Sequence, residues 1–137
     1  MIRTYVDAGV LIAAARGRTS MALRALEVLD DPAREFVSSI FVKLEVLPKA
    51  IYYKNEAEAQ FYEAFFSGVS HWANPHETLI QEAFKEASQV GLAALDALHV
   101  VSALSLGAEE LVTTEKTDKP LHRTRLIRVV TIGPKRV

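Results

Sequence analysis

The hydrophobic positions of the chain fall into two kinds of segment. Short runs of β-branched and aromatic residues, bounded by polar or glycine positions, predict β-strands. Longer segments in which apolar residues recur every third or fourth position predict helices. Strands are predicted in this way at 2–6, 35–38, 69–72, 111–113 and 126–132, and helices at 10–16, 21–29, 40–52, 56–66, 76–90 and 95–106. Pro48 predicts a kink or a break within the helix 40–52, because proline lacks a backbone N–H.

The order of these elements predicts the class of fold. Each of the first three strands is followed by two helices, and two strands end the chain. Strands separated by helices form a mostly parallel sheet whose faces those helices cover. We therefore expect an α/β fold, a three-layer sandwich with about five strands and helices on both faces. No repeat or Ser/Gly-rich linker interrupts the sequence, so residues 1–137 are expected to form a single domain.

The segment 92–115 carries polar residues in apolar surroundings. Its predicted helix, 95–106, is hydrophobic almost all the way round, which indicates burial. Asp96 nevertheless lies in the first turn, and His99 and Ser102 follow at three-residue steps along the same face. The next strand leads directly to Glu115. Because a buried carboxylate costs free energy unless a positive group meets it, acids at the ends of these two elements indicate a site.

Two further acids lie in apolar surroundings. Asp7 follows the first strand, and Glu45 lies between Leu44 and Val46 in the middle of a helix. Ligands of a parallel sheet bind beyond the carboxyl ends of its strands, where Asp7 and Glu115 are expected. Carboxylates that converge there repel one another, and a divalent cation removes that repulsion. Mg²⁺ and Mn²⁺ prefer oxygen ligands, and at such a centre they can activate water and stabilise the leaving oxygen of a phosphodiester.

Each of the four acids also has a purely structural interpretation. Asp7 could cap the helix that follows it, and Asp96 could cap its own helix. Glu45 could face solvent from the middle of its helix. Glu115 could lie in a surface turn. The four acids taken together favour the metal site, because two of them follow strands.

Three neighbouring polar residues are candidates for supporting roles at this site. His99 lies on the same helical face as Asp96, but a packed histidine hydrogen-bonded to a neighbour is the favoured interpretation. Thr113 and Thr114 could orient Glu115 or contact a phosphate. Their alternative role is that of ordinary strand residues.

The basic residues are unevenly distributed. The formal net charge is −1, yet seven of the 16 lysines and arginines lie after residue 115, against a single acid. A basic segment next to an acidic site can attract a polyanion, whereas the alternative is a solvated terminal face. The residues expected to contact the phosphates of such a polyanion are Lys116, Arg123, Arg125 and Arg128.

The composition argues against several classes of protein. The chain has no cysteine, so it holds neither a disulfide framework nor a thiolate metal site, which fits a reducing compartment. The apolar run 10–15 is short and is preceded by Asp7, unlike a secretory signal. No run approaches the roughly 18 uncharged apolar residues of a membrane helix. We therefore expect a cytoplasmic protein without a membrane partner.

Four segments, in their order along the chain, resemble the PIN domain, and most closely the VapC-type toxin ribonucleases of toxin–antitoxin pairs. They are Tyr5-Val6-Asp7 followed by Val10-Leu11-Ile12; Val42-Lys43-Leu44-Glu45-Val46; Leu95-Asp96-Ala97-Leu98-His99; and Leu111-Val112-Thr113-Thr114-Glu115-Lys116. The resemblance implies a Mg²⁺- or Mn²⁺-dependent endoribonuclease with RNA as its substrate. It implies the catalytic acids Asp7, Glu45, Asp96 and Glu115, with the metal held by Asp7, Asp96 and Glu115. It also implies a homodimer and a cognate antitoxin whose tail fills a groove.

The sequence departs from the PIN pattern at two places. Small hydroxyl or amide residues usually follow the first acid, where Ala8 and Gly9 stand here, and the fourth acid is usually Asp rather than Glu115. These departures leave open a PIN-like module that binds RNA or a protein without cleaving. On the residues alone, a phosphatase or receiver-type domain with Asp7 as nucleophile is a further alternative. That chemistry usually needs a second Asp where Gly9 stands.

The helix 56–66 carries a cluster of aromatic residues. Phe61, Tyr62, Phe65 and Phe66 form two pairs four positions apart. Core packing is the expected role of these residues. Adjacent pairs nevertheless cover more than one stripe of the helix, so one pair is a candidate for a dimer or antitoxin contact.

Overall fold

The computed structural model describes residues 1–133, which form five strands and six helices. The strands are β1 (Ile2–Val6), β2 (Arg34–Ser39), β3 (His71–Ala73), β4 (Glu110–Thr113) and β5 (Arg128–Thr131). The helices are α1 (Ala8–Arg16), α2 (Ser20–Leu29), α3 (Ile40–Tyr52), α4 (Glu56–Ser67), α5 (Glu77–Val90) and α6 (Ala94–Ser105). A short 3₁₀ helix, Pro120–Arg123, lies between β4 and β5.

The five strands form one parallel sheet in the order β3-β2-β1-β4-β5. At the centre of the sheet, Tyr5 pairs with Val37 of β2 on one side and with Leu111 of β4 on the other. Thr4, Tyr5 and Val6 are all fully buried. Because successive side chains of a strand point to opposite faces, both faces of β1 are covered. The predicted α/β class and the number of strands are confirmed.

The strand order places a switch point between β1 and β4. The chain adds β2 and β3 on one side of β1, then returns to add β4 and β5 on the other. The carboxyl ends of the two strands at the switch are Val6 and Thr113. Ligands of open α/β sheets bind at this position, outside the carboxyl ends of the strands. Asp7 and Thr114, which follow these two strands, therefore lie where a site is expected.

The ends of the helices follow the capping residues of the sequence. The side chains of Thr19, Ser39 and Asn55 accept hydrogen bonds from the first turns of α2, α3 and α4, as predicted. Gly91 ends α5 in the left-handed region, with φ at 73°, which glycine adopts without steric cost. These local signals account for the good match between the predicted and observed helices.

The structure differs from the predicted elements in three places. Helix α3 runs through Pro48 without the predicted break, and its buried face on both sides of the proline holds it in the core. The last strand is shorter than predicted, Arg128–Thr131, and β3 is displaced to His71–Ala73.

Among residues 1–133, no single helix is long and apolar enough to cross a membrane, although α5 and α6, which meet at 120°, pass that test as a pair.

The aromatic residues of α4 pack into the core. Tyr62 and Phe66 are buried, and Phe61 and Phe65 are partly buried against the core. Phe65 meets Phe36 of β2 edge-on, with the ring centroids 5.6 Å apart. The structure therefore supports the core-packing interpretation of this cluster rather than a partner contact.

Candidate active site

Asp7 is fixed by three hydrogen bonds at the switch point. Its backbone N–H donates to the Val112 carbonyl over 3.1 Å, which continues the pairing of β1 with β4. Its Oδ1 accepts from the Val10 N–H at 3.3 Å and so caps α1. Its Oδ2 accepts from the Thr113 hydroxyl at 2.5 Å. The capping role and the site role of Asp7 are therefore compatible, because different oxygens of one carboxylate serve them.

Thr113 links the first acid to the last. This residue ends β4 and is fully buried. Its hydroxyl donates to Asp7 and accepts from the backbone N–H of Glu115 at 3.0 Å. Thr113 therefore orients both the Asp7 carboxylate and the backbone at Glu115, whose side chain is exposed. The predicted orienting role of Thr113 is consistent with this geometry.

Thr114 fills the space that a side chain at position 9 would need. A Cβ built on Gly9 would lie 2.3 Å from the Thr114 hydroxyl oxygen and 3.4 Å from Oδ1 of Asp7. A side chain at position 9 would therefore force the Thr114 hydroxyl to move. The first acid has no hydroxyl residue directly after it, but the hydroxyl of Thr114, the residue after β4, lies against Gly9.

Asp96 lies at the start of α6 without capping it. Helix α6 begins at Ala94, and no side chain makes a capping hydrogen bond there, so the capping interpretation of Asp96 does not apply. Burial raises the pKa of Asp96 above its ordinary range. His99 opposes this rise, and the negative charges of Glu115 and Glu45 add to it. The pKa of Asp96 therefore depends on the charges of two other predicted acids.

Glu45 is held by a buried histidine. His99 is almost completely buried, and its Nε2 lies 2.5 Å from Oε1 of Glu45. Its Nδ1 lies 2.7 Å from the hydroxyl of Tyr5, which lies in turn 2.7 Å from Oγ of Ser39. Burial raises the pKa of the Tyr5 hydroxyl above its ordinary value, so this group remains protonated. The expected packed role of His99 is therefore combined with a direct contact to one of the acids.

The sequence pattern predicts no role at the site for Tyr5 or Ser39. The signal was available for Tyr5, because a tyrosine in the central strand of a buried sheet needs a hydrogen-bond partner for its hydroxyl. The identity of that partner depends on the crossing of β1, α3 and α6, which the pattern of the sequence does not specify.

The pKa of Asp7 shows that, within residues 1–133, the site lacks a positive charge to balance its carboxylates. Burial raises its pKa to about 6. The hydrogen bonds from Thr113 and Val10 oppose this rise, as His99 does when its ring is protonated, whereas the charge of Asp96 adds to it. The charge of Asp96 is therefore coupled to those of the other three acids. Such a set of oxygen donors attracts a hard divalent cation.

The carboxylate oxygens of the four acids are ligands of the kind that bind Mg²⁺ or Mn²⁺, although the side chains do not surround a position for an ion. Among residues 1–133, no three acid or histidine side chains stand together in ready metal-ligating positions. The candidate donors are all carboxylates, and burial disfavours the charges of Asp7 and Asp96. Mg²⁺ commonly uses one or two carboxylates and keeps several waters, so it does not require a preformed protein cage.

The predicted phosphate-binding residues divide between two regions. Lys116 directly follows Glu115, and Arg123 donates to the Val90 carbonyl at 3.4 Å, close to the start of α6. Arg125 is exposed nearby in the chain. Arg128 lies at the amino end of β5, where it pairs with Glu110 at 3.7 Å. The structure therefore does not bring Arg128 to the edge that carries the acids. Lys135 and Arg136, also counted among the basic residues, lie outside the described residues.

The comparisons with known proteins agree with this fold. The family model of the PIN domain matches residues 4–124, and the chain belongs to the PIN-domain family. No curated protein matches the sequence.

Solved structures of toxin–antitoxin complexes contain chains with the same fold. A chain in the crystal structure of VapBC2 from Rickettsia felis, bound to a DNA fragment from its promoter, matches with a TM-score of 0.72 and 15% identity over 95% of this chain and 98% of that one. A toxin–antitoxin complex from Klebsiella pneumoniae matches with a TM-score of 0.72 and 23% identity, over 94% and 97% of the two chains. VapBC-1 from nontypeable Haemophilus influenzae matches with a TM-score of 0.65 and 17% identity, over 96% and 98%.

The Asp7→Asn substitution should stabilise the metal-free protein at neutral pH. Since the pKa of Asp7 rises from 3.8 to about 6 on folding, the folded protein binds this proton more tightly than the unfolded chain does. Stability therefore falls as the pH rises through this interval and stays lower above it. Asparagine removes the charge and keeps an oxygen acceptor for Thr113. The expected gain near pH 7 is up to about 3 kcal/mol.

Urea unfolding of both proteins near pH 7 and near pH 4, with a chelator present, measures this effect. The gain should shrink toward the lower pH, where the Asp7 carboxylate is protonated in the folded protein. Asp118→Asn, at an exposed position, is the matched control and should leave stability unchanged at both pH values. Equal stabilities of wild type and D7N near pH 7 would contradict the assignment of Asp7 as an electrostatically strained group.

Proposed function

We propose that this PIN-domain protein is a metal-dependent endoribonuclease of the VapC type, the toxin of a type II toxin–antitoxin pair. The observation that supports the proposal is the electrostatic coupling of Asp96 to Asp7, Glu45 and Glu115 near the switch point of the sheet. Burial and mutual repulsion disfavour the charges of Asp7 and Asp96 in the absence of a cation. The similarity to VapBC structures supports the toxin assignment at the level of the fold.

Asp7, Asp96 and Glu115 are the residues that would hold the metal, with Glu45 completing the acidic site. A bound Mg²⁺ or Mn²⁺ activates water and stabilises the oxygen that leaves the cleaved phosphodiester. Thr113 keeps the Asp7 carboxylate in place through its 2.5 Å hydrogen bond. Thr114 stands beside the same carboxylate, where it can contact a phosphate.

The partners of the protein follow from the same assignment. We infer a cognate antitoxin and a homodimer in the cytoplasm, with RNA as the substrate. Apolar side chains on α3 and α5 offer surfaces for protein partners: Tyr52 and Tyr53 are about three-quarters exposed, at 77% and 75%, and Phe84 is 76% exposed. Buried apolar area is the main driving force of protein association, so these faces are the candidates rather than α4.

The test of the nuclease function is cleavage of RNA by the purified protein. Wild type should cleave single-stranded RNA with Mn²⁺ or Mg²⁺ present and lose the activity with a chelator. Asp96→Asn should lower the rate by at least tenfold, about 1.4 kcal/mol of transition-state stabilisation, and should relieve growth arrest in cells. Asp118→Asn serves as the charge-matched control. Wild-type cleavage by D96N would show that the site is wrongly assigned.

A module that binds RNA or a protein without cleaving it is the second candidate function. Ala8, Gly9 and Glu115 motivate it, because they differ from the usual PIN residues. The Thr114 hydroxyl beside Gly9 weakens this alternative. Metal-independent binding of RNA with no cleavage by the pure wild-type protein would favour the module over the nuclease.

Glu115, rather than Asp118, is expected to complete the site. Glu115 follows β4 and influences the pKa of Asp96, whereas Asp118 lies in the turn that the Lys119 N–H closes on the Lys116 carbonyl at 3.0 Å. Glu115→Gln should lower the cleavage rate by about tenfold or more, and Asp118→Asn should change it little. Glu115→Asp should keep or raise the rate, because the shorter acid is the usual PIN residue. Parallel assays at one Mn²⁺ concentration decide this, and an inactive D118N beside an active E115Q would move the fourth acid to Asp118.

The positions of the basic residues predict which of them contribute to RNA binding, with Arg128 as the control. Lys116 and Arg125 are exposed in the segment that follows the acids, whereas Arg128 pairs with Glu110 at the opposite edge of the sheet. Replacing both Lys116 and Arg125 with alanine should weaken RNA binding and reduce its salt dependence by about 1.4 units of slope, roughly 0.7 for each lost phosphate contact. Arg128→Ala should change neither quantity. Binding titrations over a range of salt concentrations measure this, and equal slopes for all three proteins would leave the segment as a solvated face.

A further inference from the structure

A buried chain of hydrogen bonds runs beneath the acidic edge. It begins at the Val42 N–H, which donates to Oγ of Ser39 over 3.4 Å. The Ser39 hydroxyl lies 2.7 Å from that of Tyr5, and the Tyr5 hydroxyl lies 2.7 Å from Nδ1 of His99. The chain ends at Oε1 of Glu45, 2.5 Å from Nε2 of His99. Ser39 and Tyr5 are fully buried, and His99 is 3% exposed.

The hydrogen-bond chemistry gives this chain a direction. A carboxylate accepts hydrogen bonds, so the neutral ring of His99 must carry its proton on Nε2 to bind Glu45. Nδ1 then accepts from the Tyr5 hydroxyl, whose oxygen accepts from Ser39. Ser39 accepts from the Val42 N–H, which cannot act as an acceptor. Every hydroxyl in the chain thus donates once and accepts once, which is the most favourable state for buried polar groups.

The members of the chain lie close in sequence to three of the four acids. Tyr5, on β1, lies two residues before Asp7, and His99 lies three residues after Asp96 on α6. Ser39 ends β2 and caps α3, the helix that carries Glu45. The chain therefore fixes the relative positions of β1, α3 and α6 where they meet. A shift of any one element would leave a buried donor or acceptor without its partner, which destabilises the shifted arrangement.

We propose that His99 and Tyr5 are positioning residues of the active site, which act through Glu45 and hold its carboxylate beside Asp96. This inference rests on the proposed function and extends it to residues that do not face the substrate. His99 donates Nε2–H to one oxygen of Glu45 and leaves the other oxygen free for the site. Tyr5 acts one step farther away, because its hydroxyl donates to Nδ1 and so stabilises the ring tautomer that can make this donation.

Two substitutions at His99 separate positioning from packing. The amide nitrogen of glutamine reaches the place of Nε2, whereas asparagine reaches only the place of Nδ1. His99→Gln can keep the hydrogen bond to Glu45, and His99→Asn loses it. Val100→Ala, a fully buried position one residue away with no polar contact, controls for a general loss of packing.

Mn²⁺ binding to the RNA-free protein, measured by electron paramagnetic resonance, is the first readout. His99→Asn should weaken Mn²⁺ binding by roughly 10–100-fold, the usual effect of losing a partner that orients a site carboxylate. His99→Gln should restore most of the affinity, and Val100→Ala should lower the stability without this loss. Equal losses in H99N, H99Q and V100A would overturn the proposal, because packing alone would then explain them.

The tautomer of His99 is the second readout, and it requires neither metal nor RNA. Ring ¹⁵N signals of the wild type should show a protonated Nε2 and an unprotonated Nδ1. Tyr5→Phe, which removes only the hydroxyl that donates to Nδ1, should weaken this preference and lower the Mn²⁺ affinity in the same direction as H99N. A protonated Nδ1 in the wild type would overturn the direction of the chain and the role of Tyr5.

The outcomes distinguish this proposal from the proposed function. A wild type that binds Mn²⁺ but does not cleave RNA would contradict the nuclease and leave the Mn²⁺ and tautomer results to decide the positioning role. A wild type that cleaves RNA, with H99N equal to it in both Mn²⁺ affinity and rate, would support the nuclease and overturn the positioning role.

Discussion

The cost of ionising buried carboxylates at the carboxyl edge of β1 and β4, to which their repulsion adds, is the constraint around which the other contacts are arranged. Burial and the charge of Asp96 make ionised Asp7 costly, and the hydrogen bonds from Thr113 and Val10 offset part of that cost. Hydrogen bonds can soften such repulsion, but a cation can remove it. The fold therefore keeps a high-energy group at its switch point, which is typical of functional sites and costly for stability.

A small set of buried polar residues beneath this edge holds its acids in position. Tyr5, Ser39 and His99 satisfy one another, and Thr113 satisfies Asp7 and the Glu115 amide. Buried polar groups that are fully paired favour one arrangement of the elements, because any other arrangement leaves a buried donor or acceptor without a hydrogen bond. The apolar core supplies the stability of the sheet, and these polar contacts determine where α3 and α6 stand relative to β1.

Much of the fold could be predicted from the sequence, because its signals are local. The hydrophobic period, the caps at Thr19, Ser39 and Asn55, and the stop at Gly91 lie within a few residues of the elements that they determine. The position of Asp7 after a strand followed from the same local pattern.

The errors arose where the answer depends on elements far apart in the sequence. Arg128 is near the acids along the chain but belongs to the opposite edge, because β5 runs parallel to β4 and starts where β4 starts. The close approach of Thr114 to Gly9 and the chain through Tyr5 also depend on side chains that meet only in the folded protein. The aromatic cluster of α4 is apolar on two stripes, and only the packing against β2 shows that both stripes are largely covered.

The order of the strands has a consequence for the synthesis of the protein. The hydrogen bond between Asp7 and Thr113 joins residues 106 positions apart, and β1 cannot gain β4 as a neighbour until that part of the chain has emerged from the ribosome. Contacts of such long range form late in folding because loop closure must precede them. A nascent chain that ends before β4 therefore lacks two of the five strands, and Thr113 and Glu115 with them. The site proposed for RNA cleavage is incomplete during most of the translation of the chain.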